Sequence, residues 1–218
     1  MSQQLALLGG KPIRTRSFPS WPVWGQTEEK RLLRVLHSGK WGRLNGPEVA
    51  EFEQRFARAH GCKHGVAMVN GTVTLRIALM AAGLPADSEI IVPPYTFFST
   101  ASAVVEANMV PVFVDVDLDT FNLDPKAVAA AITPRTRAIM AVHFAGQPAD
   151  MKRINAIARK HKLVVIEDAA HAHGASFRGH PAGSLEDIAS FYYQSSKNLT
   201  SGEGGIITTN DDEVARMA

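Results

Sequence analysis

Five short runs of mostly apolar residues recur along the middle of the chain, and segments of helical length separate them. The runs are GVAMV, EIIV, VPVFVDV, AIMAVH and LVVIED, and the intervening helices are predicted to begin near Val73, Phe98, Pro125 and Pro148. Strands that are apolar on both faces are typical of parallel sheets, because crossover helices cover both sides of such a sheet. The alternation therefore predicts an α/β fold of three layers, with a mostly parallel sheet between two layers of helices.

The chain before the first run has a different composition. Residues 1–26 are rich in Pro, Gly and Trp, which predicts an irregular arm, and their longest apolar stretch is too short for a signal peptide. We expect Trp21 and Trp24 of this arm to cover the core of the chain itself, with a partner subunit as the alternative. Two helices are predicted to follow, over residues 27–37 and 46–61.

The charge balance argues against two classes of partner. Lys and Arg number 23 and Asp and Glu number 21, and neither sign forms a long run, so binding to nucleic acid or to a membrane surface is not expected. No segment approaches the length needed to span a bilayer. Cys62 is the only cysteine, which excludes an internal disulfide and fits a reducing compartment. We expect a soluble, cytoplasmic protein.

Residues that could form a binding site follow the apolar runs directly. Polar or aromatic residues come after four of the runs, in the segments NGTVT, PPYTFFST, HFAG and EDAAHAHGA. Ligands of open parallel sheets bind beyond the carboxyl ends of the strands, where the connecting loops gather. The sequence therefore predicts a binding site at this edge of the sheet.

The first of these segments leads from a strand into a helix. The free N–H groups of the first helical turn after Asn70, together with the Thr72 hydroxyl, could hold a phosphate at the positive end of the helix dipole. Alternatively, Thr72 only caps the helix. The dinucleotide-binding and Walker motifs are absent from the strand-to-helix turns, so nucleotide phosphates are not expected.

Three further features fall in the other segments. One of the three aromatics of PPYTFFST is expected to stack on a planar ligand ring, and the other two are expected in the core. Asp168 ends the most apolar run, so its carboxylate either caps the next segment or faces a cationic ligand atom. His171 and His173 lack a third ligand at a suitable spacing, so we expect hydrogen bonds to loop backbone or ligand oxygens and no metal site.

Lys197 lies in SSKNLTSGEGG, between small polar residues and a glycine-rich turn. Taken alone, a lysine is most often a solvated charge. A lysine together with a phosphate cradle, an aromatic plane and a buried carboxylate matches what pyridoxal 5'-phosphate requires. The aldehyde of this cofactor forms a Schiff base with lysine, its ring nitrogen pairs with Asp, and its phosphate binds at a helix N-terminus.

The motifs in their order along the chain resemble a known family. The segments NGTVTL, PPYTFFSTASAVVEANMVPVFVDVDLDTFNLDP, EDAAHAHGA and SKNLTSGEGG are similar to those of fold-type I, pyridoxal-phosphate-dependent sugar aminotransferases of the DegT and StrS type. The resemblance extends from about Leu5 to the last residue. The segments GGKPIRTRSFPSWPVWG and SGKWGRLNGPEVAEFE look closest to the branch that contains glutamine-dependent scyllo-inosose aminotransferases and 3-amino-5-hydroxybenzoate synthase.

The resemblance implies roles for individual residues. Lys197 would form the Schiff base and would move the α-proton of the substrate. Asp168 would hold the ring nitrogen of the cofactor in its protonated form. Phe97 would stack on the cofactor ring, and His171 would approach its 3-hydroxyl, where many relatives have Gln.

The resemblance also implies a phosphate site. Gly71, Thr72 and Val73 would bind the phosphate at the start of a helix. Relatives carry a phosphate-binding Ser five residues before the lysine, whereas this chain has Tyr192 there and Ser190 two residues earlier. Either the Tyr192 hydroxyl donates to the phosphate instead, or the local geometry of the phosphate site differs from that of the relatives.

The implied activity is transfer of an amino group from Gln or Glu to a keto-sugar or keto-cyclitol by a homodimer, in amino sugar, aminocyclitol or antibiotic biosynthesis. One alternative is a pyridoxal-phosphate-dependent dehydratase of the 3-amino-5-hydroxybenzoate synthase type, which DAAHAHGA favours. Another is a non-catalytic fragment that binds the cofactor or a partner. Family members continue into a small C-terminal domain, so residues 27–218 are expected to be a cofactor-binding large domain truncated before it.

Overall fold

The structure, a computed structural model, describes residues 4–218, so the first three residues of the predicted arm lie outside the described residues. The helices are α1 (Gln26–Ser38), α2 (Glu48–Ala59), α3 (Gly71–Ala81), α4 (Ser99–Glu106), α5 (Pro125–Ala131), α6 (Met151–His161) and α7 (Asp212–Met217). The strands are β1 (His64–Met68), β2 (Glu89–Val92), β3 (Val110–Phe113), β4 (Thr136–Val142), β5 (Val164–Asp168), β6 (Ser176–Phe177), β7 (His180–Pro181), β8 (Ile188–Tyr192) and β9 (Gly205–Thr209).

Seven of the strands form one sheet in the order β1-β9-β8-β5-β4-β2-β3. Strands β8, β5, β4, β2 and β3 are parallel to their neighbours in this order, and β9 alone runs antiparallel to both β1 and β8. Strands β6 and β7 form a separate antiparallel hairpin. The predicted mostly parallel sheet is therefore confirmed.

Helices cover both faces of this sheet. Ile90 and Val92 of β2 pack on one face in a core that includes side chains of α3 and α4. Ile91, between them, packs on the other face with side chains of α5 and α6. Because successive side chains of a strand point to opposite faces, this alternation places one hydrophobic core on each side of the sheet. The predicted three-layer α/β fold is confirmed.

Two central strands were missing from the sequence prediction. Strands β8, with the sequence IASFY, and β9, with the sequence GIITT, contain the buried polar residues Ser190, Thr208 and Thr209. Each hydroxyl has a partner: Thr208 donates to the Gly183 carbonyl and Thr209 to the Asp187 carbonyl, both at 2.8 Å. A search for apolar runs misses such strands, because hydrogen bonds compensate the buried hydroxyls.

The arm does not cover the core of the chain, so that expectation was wrong. Trp21 is 50% exposed and Trp24 is 72% exposed. The indole Nε1–H of Trp21 instead donates to the carbonyl of Ser195 at 2.8 Å, in the loop between β8 and β9. Helix α1 follows the arm and buries none of its residues. Among the described residues, no helix is both long enough and apolar enough to cross a membrane.

Candidate active site

A cavity of 480 Å³ opens at the carboxyl edge of the parallel strands. The segments that follow β1, β2, β4, β5 and β8 all contribute to its lining. Every residue predicted for the site lines it except Val73: Gly71, Thr72, Phe97, Asp168, His171, Tyr192 and Lys197. The ends of these strands therefore converge on one cavity.

The start of α3 forms one wall of the cavity. Asn70 caps this helix, because its Oδ1 accepts the Val73 N–H at 2.9 Å. The amide of Val73 is thus already engaged, whereas the amides of Gly71 and Thr72 have no intrahelical acceptor in the first turn. These two amides lie at the positive end of the helix dipole, which favours an anion. The Thr72 hydroxyl does not cap the helix and shares a hydrogen bond with the Ser99 hydroxyl, with an O···O distance of 2.7 Å.

Strand β8 approaches α3 closely because residue 71 is a glycine. A Cβ atom at Gly71 would lie 2.9 Å from both Cβ and Cγ of Tyr192. The Tyr192 hydroxyl donates to Glu203 Oε1 at 3.3 Å, and burial together with this carboxylate raises the pKa of the Tyr192 phenol. Glu203 lines the cavity and was not singled out from the sequence, although it lies in the same glycine-rich segment as Lys197.

Ser190 also faces the cavity, because residues two apart on a strand share a face. It is buried, and its hydroxyl lies 2.5 Å from the hydroxyl of Thr74, on the first turns of α3. Two hydroxyls of β8, those of Ser190 and Tyr192, therefore lie beside the helix N-terminus that is predicted to bind phosphate.

The carboxylate of Asp168 ends β5 and is only 6% exposed. Thr100 donates its hydroxyl to Asp168 Oδ2 at 2.9 Å, and the Ala170 N–H donates to Oδ1 at 3.3 Å. The Thr100 hydroxyl also lies 2.8 Å from that of Thr96. Asp168 thus both caps the segment after β5 and faces the cavity, and Thr100 is a site residue that sequence reasoning missed.

Lys197 also lines the cavity and lies in the loop between β8 and β9. Its Nζ is 5.3 Å from the centroid of the Tyr192 ring. Burial lowers the pKa of the Lys197 amine, and the negative charge of Asp168 partly opposes this shift. A lowered pKa increases the neutral, nucleophilic fraction of the amine.

The two histidines of the predicted H-x-H pair have different surroundings. His171 lines the cavity, where burial and the charge of Lys197 lower the pKa of its ring and Asp168 opposes them. His173 packs against the rings of Phe191 and Tyr193, each at 5.4 Å between centroids. Neither ring nitrogen of His173 has a hydrogen-bond partner with good geometry among residues 4–218, so the expected hydrogen bonds of this residue stay a prediction.

The pKa of His173 is lowered to about 4, first by burial and then by the neighbouring His60. The backbone of Tyr192 partly opposes this shift in the pKa of His173. The imidazole of His173 is therefore neutral at physiological pH and acts as part of an aromatic cluster.

The aromatics of PPYTFFST are not in the core, contrary to the expectation for two of them. Phe97 is 65% exposed and Phe98 is 68% exposed, with their ring centroids 4.6 Å apart. Tyr95 packs against Phe121 and Phe144 at centroid distances of 5.6 and 4.7 Å. Phe97 is the member of the three that lines the cavity, so its ring is available to a planar ligand.

These groups fit pyridoxal phosphate. The cavity volume falls in the range of about 300–1,000 Å³ that is common for small-molecule sites. It combines an amine of lowered pKa, a buried carboxylate, two free helix amides and an exposed aromatic ring. Across the described part of the chain, no three His, Cys, Asp or Glu side chains are grouped so that they could hold a metal ion.

Comparison with known proteins agrees with this chemistry. Residues 23–218 match the DegT/DnrJ/EryC1/StrS aminotransferase family. The chain belongs to this family. An L-glutamine:2-deoxy-scyllo-inosose aminotransferase of Streptomyces kanamyceticus is 46% identical over 220 residues, which cover 99% of this chain and 52% of the relative. The 3-amino-5-hydroxybenzoate synthase of Amycolatopsis mediterranei is 45% identical over 199 residues, which cover 91% of this chain and 51% of the relative.

Solved structures of similar proteins show the same fold. An aminotransferase from Psychrobacter cryohalolentis has a TM-score of 0.89 and 42% identity, covering 92% of this chain and 51% of that chain. The NtdA protein of Bacillus subtilis, solved with bound cofactor PMP, has a TM-score of 0.81 and 34% identity, covering 87% of this chain and 42% of that chain. The chain thus spans about half the length of the relatives that it matches. The predicted family and its fold-type I architecture are confirmed.

Proposed function

We propose that the protein is a pyridoxal-phosphate-dependent aminotransferase that transfers an amino group from glutamine or glutamate to a keto-cyclitol or keto-sugar. The observation that carries this proposal is the convergence of the Lys197 amine and the Asp168 carboxylate on one cavity, beside the free amides of α3. The names of the similar proteins support the substrate class, because one of them is an L-glutamine-dependent aminotransferase of 2-deoxy-scyllo-inosose. The biosynthesis of aminocyclitols or amino sugars, including those of antibiotics, is the corresponding role.

Each wall of the cavity has a role in this proposal. Asp168 would hold the ring nitrogen of the cofactor, and Thr100 orients this carboxylate through the hydrogen bond to Oδ2. Phe97 would supply an aromatic face for the cofactor ring, and His171 would supply a polar group for the ring hydroxyl; both residues line the cavity. The buried, hydrogen-bonded carboxylate favours a protonated ring nitrogen, because an opposite charge at close range stabilises the cationic form.

The phosphate end lies at the start of α3. The amides of Gly71 and Thr72 would hold the phosphate oxygens, and Val73 would contribute through the helix dipole, since its N–H already bonds to Asn70. Ser190 and Tyr192 add hydroxyls at this end. Tyr192 would then turn its hydroxyl from Glu203 towards the phosphate.

Pyridoxal phosphate, when bound, supplies an aldehyde that condenses with amines and a protonated ring that withdraws electrons from the reacting carbon. The task of the protein is to move the proton. The neutral amine of Lys197 would accept the proton from the α-carbon of the amino donor and pass it to the reacting carbon of the cofactor, which leaves the amine neutral again. During amination of the acceptor it would carry a proton in the opposite direction, from the cofactor to the substrate. Burial favours this neutral state of the amine, which must be unprotonated to act as a base.

A second candidate function is dehydration of the type carried out on the route to aminohydroxybenzoate. It is favoured by the 45% identity to 3-amino-5-hydroxybenzoate synthase, which nearly equals the identity to the inosose aminotransferase. Incubation of the protein with pyridoxal phosphate and each class of ketone separates the two candidates, because transamination consumes L-glutamine and dehydration does not.

We also infer that the protein is a cytoplasmic homodimer. The apolar residues Leu32, Leu33 and Leu36 of α1 and Trp24 of the arm are exposed, and clusters of exposed apolar side chains are typical of subunit interfaces. The free thiol of Cys62 is suited to a reducing compartment. Sedimentation equilibrium that finds a monomer, or cell fractionation that finds the protein outside the cytoplasm, would contradict the respective inference.

The experiment that tests the proposed function is covalent trapping. The protein is mixed with pyridoxal phosphate and reduced with borohydride, which fixes the cofactor to the amine with which it has condensed, and the labelled peptide is mapped. In the unmodified protein we expect the label at Lys197, and in Lys197→Ala we expect no label. Lys160→Ala is the control, because it removes an exposed lysine of α6, and it should be labelled normally. Label at another lysine would refute the proposed site. Label at Lys197 without transfer from glutamine would instead support a non-catalytic, cofactor-binding fragment.

A further inference from the structure

One side chain among the described residues of the arm forms a hydrogen bond to the active-site loop. The Trp21 indole N–H donates to the Ser195 carbonyl at 2.8 Å, although the two residues are 174 positions apart. The other hydrogen bonds of the described arm residues stay within the arm or connect it to α1, such as those of Arg14 and Gly25. Trp21 is therefore the polar link between the described arm and the domain that contains the cavity.

Ser195 lies in a tight turn directly before Lys197. The Lys197 N–H donates to the Gln194 carbonyl at 2.8 Å, which closes the turn around Ser195 and Ser196. Inside the turn, Gln194 Oε1 accepts the Ser196 N–H at 2.9 Å and the Ser196 hydroxyl at 2.6 Å. The peptide between Ser195 and Ser196 is thus held by Gln194 on its N–H side and by Trp21 on its carbonyl side.

The orientation of this peptide determines the backbone position and direction of Lys197. In a β-turn, rotation of the central peptide converts one turn type into another and redirects the residue that follows. The Lys197 side chain must return into the cavity, where it lies near Tyr192 and is electrostatically coupled to Asp168. An indole N–H is a donor only and belongs to a rigid ring, so it fixes the direction of the carbonyl that it binds.

We propose that Trp21 is a positioning residue for Lys197, and that the arm acts as a strap that holds the turn of residues 194–197 through the Ser195 carbonyl. This inference rests on the proposed role of Lys197 as the reactive amine of the site. Trp21 itself does not touch the reacting atoms; it acts through the backbone that carries them.

The test compares Trp21→Phe with Trp24→Phe in the protein without added cofactor. The first variant keeps an aromatic ring and removes the N–H, and the second makes the same change at a more exposed tryptophan of the same arm. One readout is hydrogen exchange of the Lys197 amide, which reports opening of the turn. Exchange in Trp21→Phe is expected to be about fivefold faster, the factor that loss of one neutral hydrogen bond supplies.

A second readout is the pH profile of the Lys197 amine, measured by competitive acetylation and peptide mapping. The charges of Asp168, His171 and His173 interact with that of this amine. The Tyr192 ring lies 5.3 Å from Nζ, and Glu203 accepts the hydrogen bond of its hydroxyl. Burial lowers the pKa of the Lys197 amine. A looser turn lets the amine reach water, so the pKa of Lys197 should rise towards that of an ordinary lysine in Trp21→Phe and stay unchanged in Trp24→Phe. A purely structural role of Trp21 would alter thermal stability and leave this profile unchanged.

The inference is overturned if Trp21→Phe and Trp24→Phe agree in either readout. Neither readout requires the cofactor, so this failure is distinct from a failure of the proposed function. Borohydride label away from Lys197 refutes the function, whereas label at Lys197 with unchanged exchange in Trp21→Phe refutes the strap alone.

Discussion

Replacing Thr100 by valine removes one buried hydroxyl from the site and preserves the shape of the side chain. In the folded protein this hydroxyl donates to Asp168 Oδ2 at 2.9 Å and lies 2.8 Å from the hydroxyl of Thr96. Thr100 is almost fully buried, and Asp168 is 6% exposed, so water cannot readily replace the lost donor. The variant therefore leaves a buried carboxylate oxygen without its side-chain donor.

The expected cost follows from the type of bond. Hydrogen bonds to charged groups contribute about 1.5–3 kcal/mol, whereas neutral pairs contribute about 1 kcal/mol. Thr100→Val breaks the charged bond and also deprives Thr96 of its partner, but Thr96 can regain a bond to water at the cavity. We expect the free energy of unfolding to fall by about 2–3 kcal/mol.

Urea unfolding of four proteins measures this effect. Thr100→Ser keeps the hydroxyl and should recover most of the lost stability. Ser102→Ala is a control on the same helix, because the Ser102 hydroxyl is buried and lacks a hydrogen-bond partner within the described chain. Its removal should change the free energy of unfolding by less than about 0.5 kcal/mol. If Thr100→Val is as stable as the wild type, or if Thr100→Ser is as unstable as Thr100→Val, the argument from the hydrogen bond is wrong.

Two further predictions concern the packing and the titration of the domain. Gly71→Ala should lower the free energy of unfolding in urea by about 1–3 kcal/mol, because the new Cβ would lie 2.9 Å from Tyr192. The control Gly42→Ala should lower it less, because the Cβ there would lie 3.5 Å from its nearest atom. Equal losses of stability in the two variants would contradict this argument. The low pKa of His173, about 4 against an ordinary 6.5, means that the unfolded chain binds more protons, so stability should fall as the pH drops from 6.5 to 4. With allowance for partial exposure of the ring, this loss of stability is about 1–2 kcal/mol. In His173→Phe the free energy of unfolding should change less with pH between 6.5 and 4. Urea unfolding at several pH values measures both effects.

The sequence predicted the fold wherever hydrophobic burial alone decided the structure. Strands β2, β4 and β5 are apolar on both faces, and their bounds agree with the predicted runs to within two residues. Strands β8 and β9 were missed because their stability depends on hydroxyl groups whose partners are distant in sequence. Ser190, for example, pairs with Thr74, 116 positions away.

The site was predicted to the extent that its residues follow strand ends. Parallel strands bring their carboxyl ends to one edge, so residues far apart in sequence could be assigned to one cavity before any contact was known. The contacts between them could not be predicted. Thr100 reaches Asp168 across 68 positions, and Trp21 reaches Ser195 across 174, through packing that no local pattern encodes.

The neighbouring acids Glu167 and Asp168 show that the register of β5 decides which carboxylate reaches the cavity. Glu167 is fully buried and accepts the N–H groups of Gly183 and Leu185 at 2.8 and 2.7 Å. It also accepts a hydrogen bond from Nε2 of His143 at 2.9 Å. The proton of the His143 ring is on Nε2 because Nδ1 accepts the Ala149 N–H. All of these partners are protein groups, so Glu167 has a complete set of donors without a ligand.

Asp168 points to the opposite face because side chains alternate along β5. That face is the one covered by α3 and α4, where Ile166 and Ile188 also pack. The free amides at the start of α3, the Thr100 hydroxyl of α4 and the β8 hydroxyls all belong to this side of the sheet. A shift of β5 by one residue would place the carboxylate of Asp168 among the donors that now serve Glu167, and the cavity would lose its acid. The register of one buried strand, rather than the presence of an acidic pair, therefore assigns the anionic group of the site.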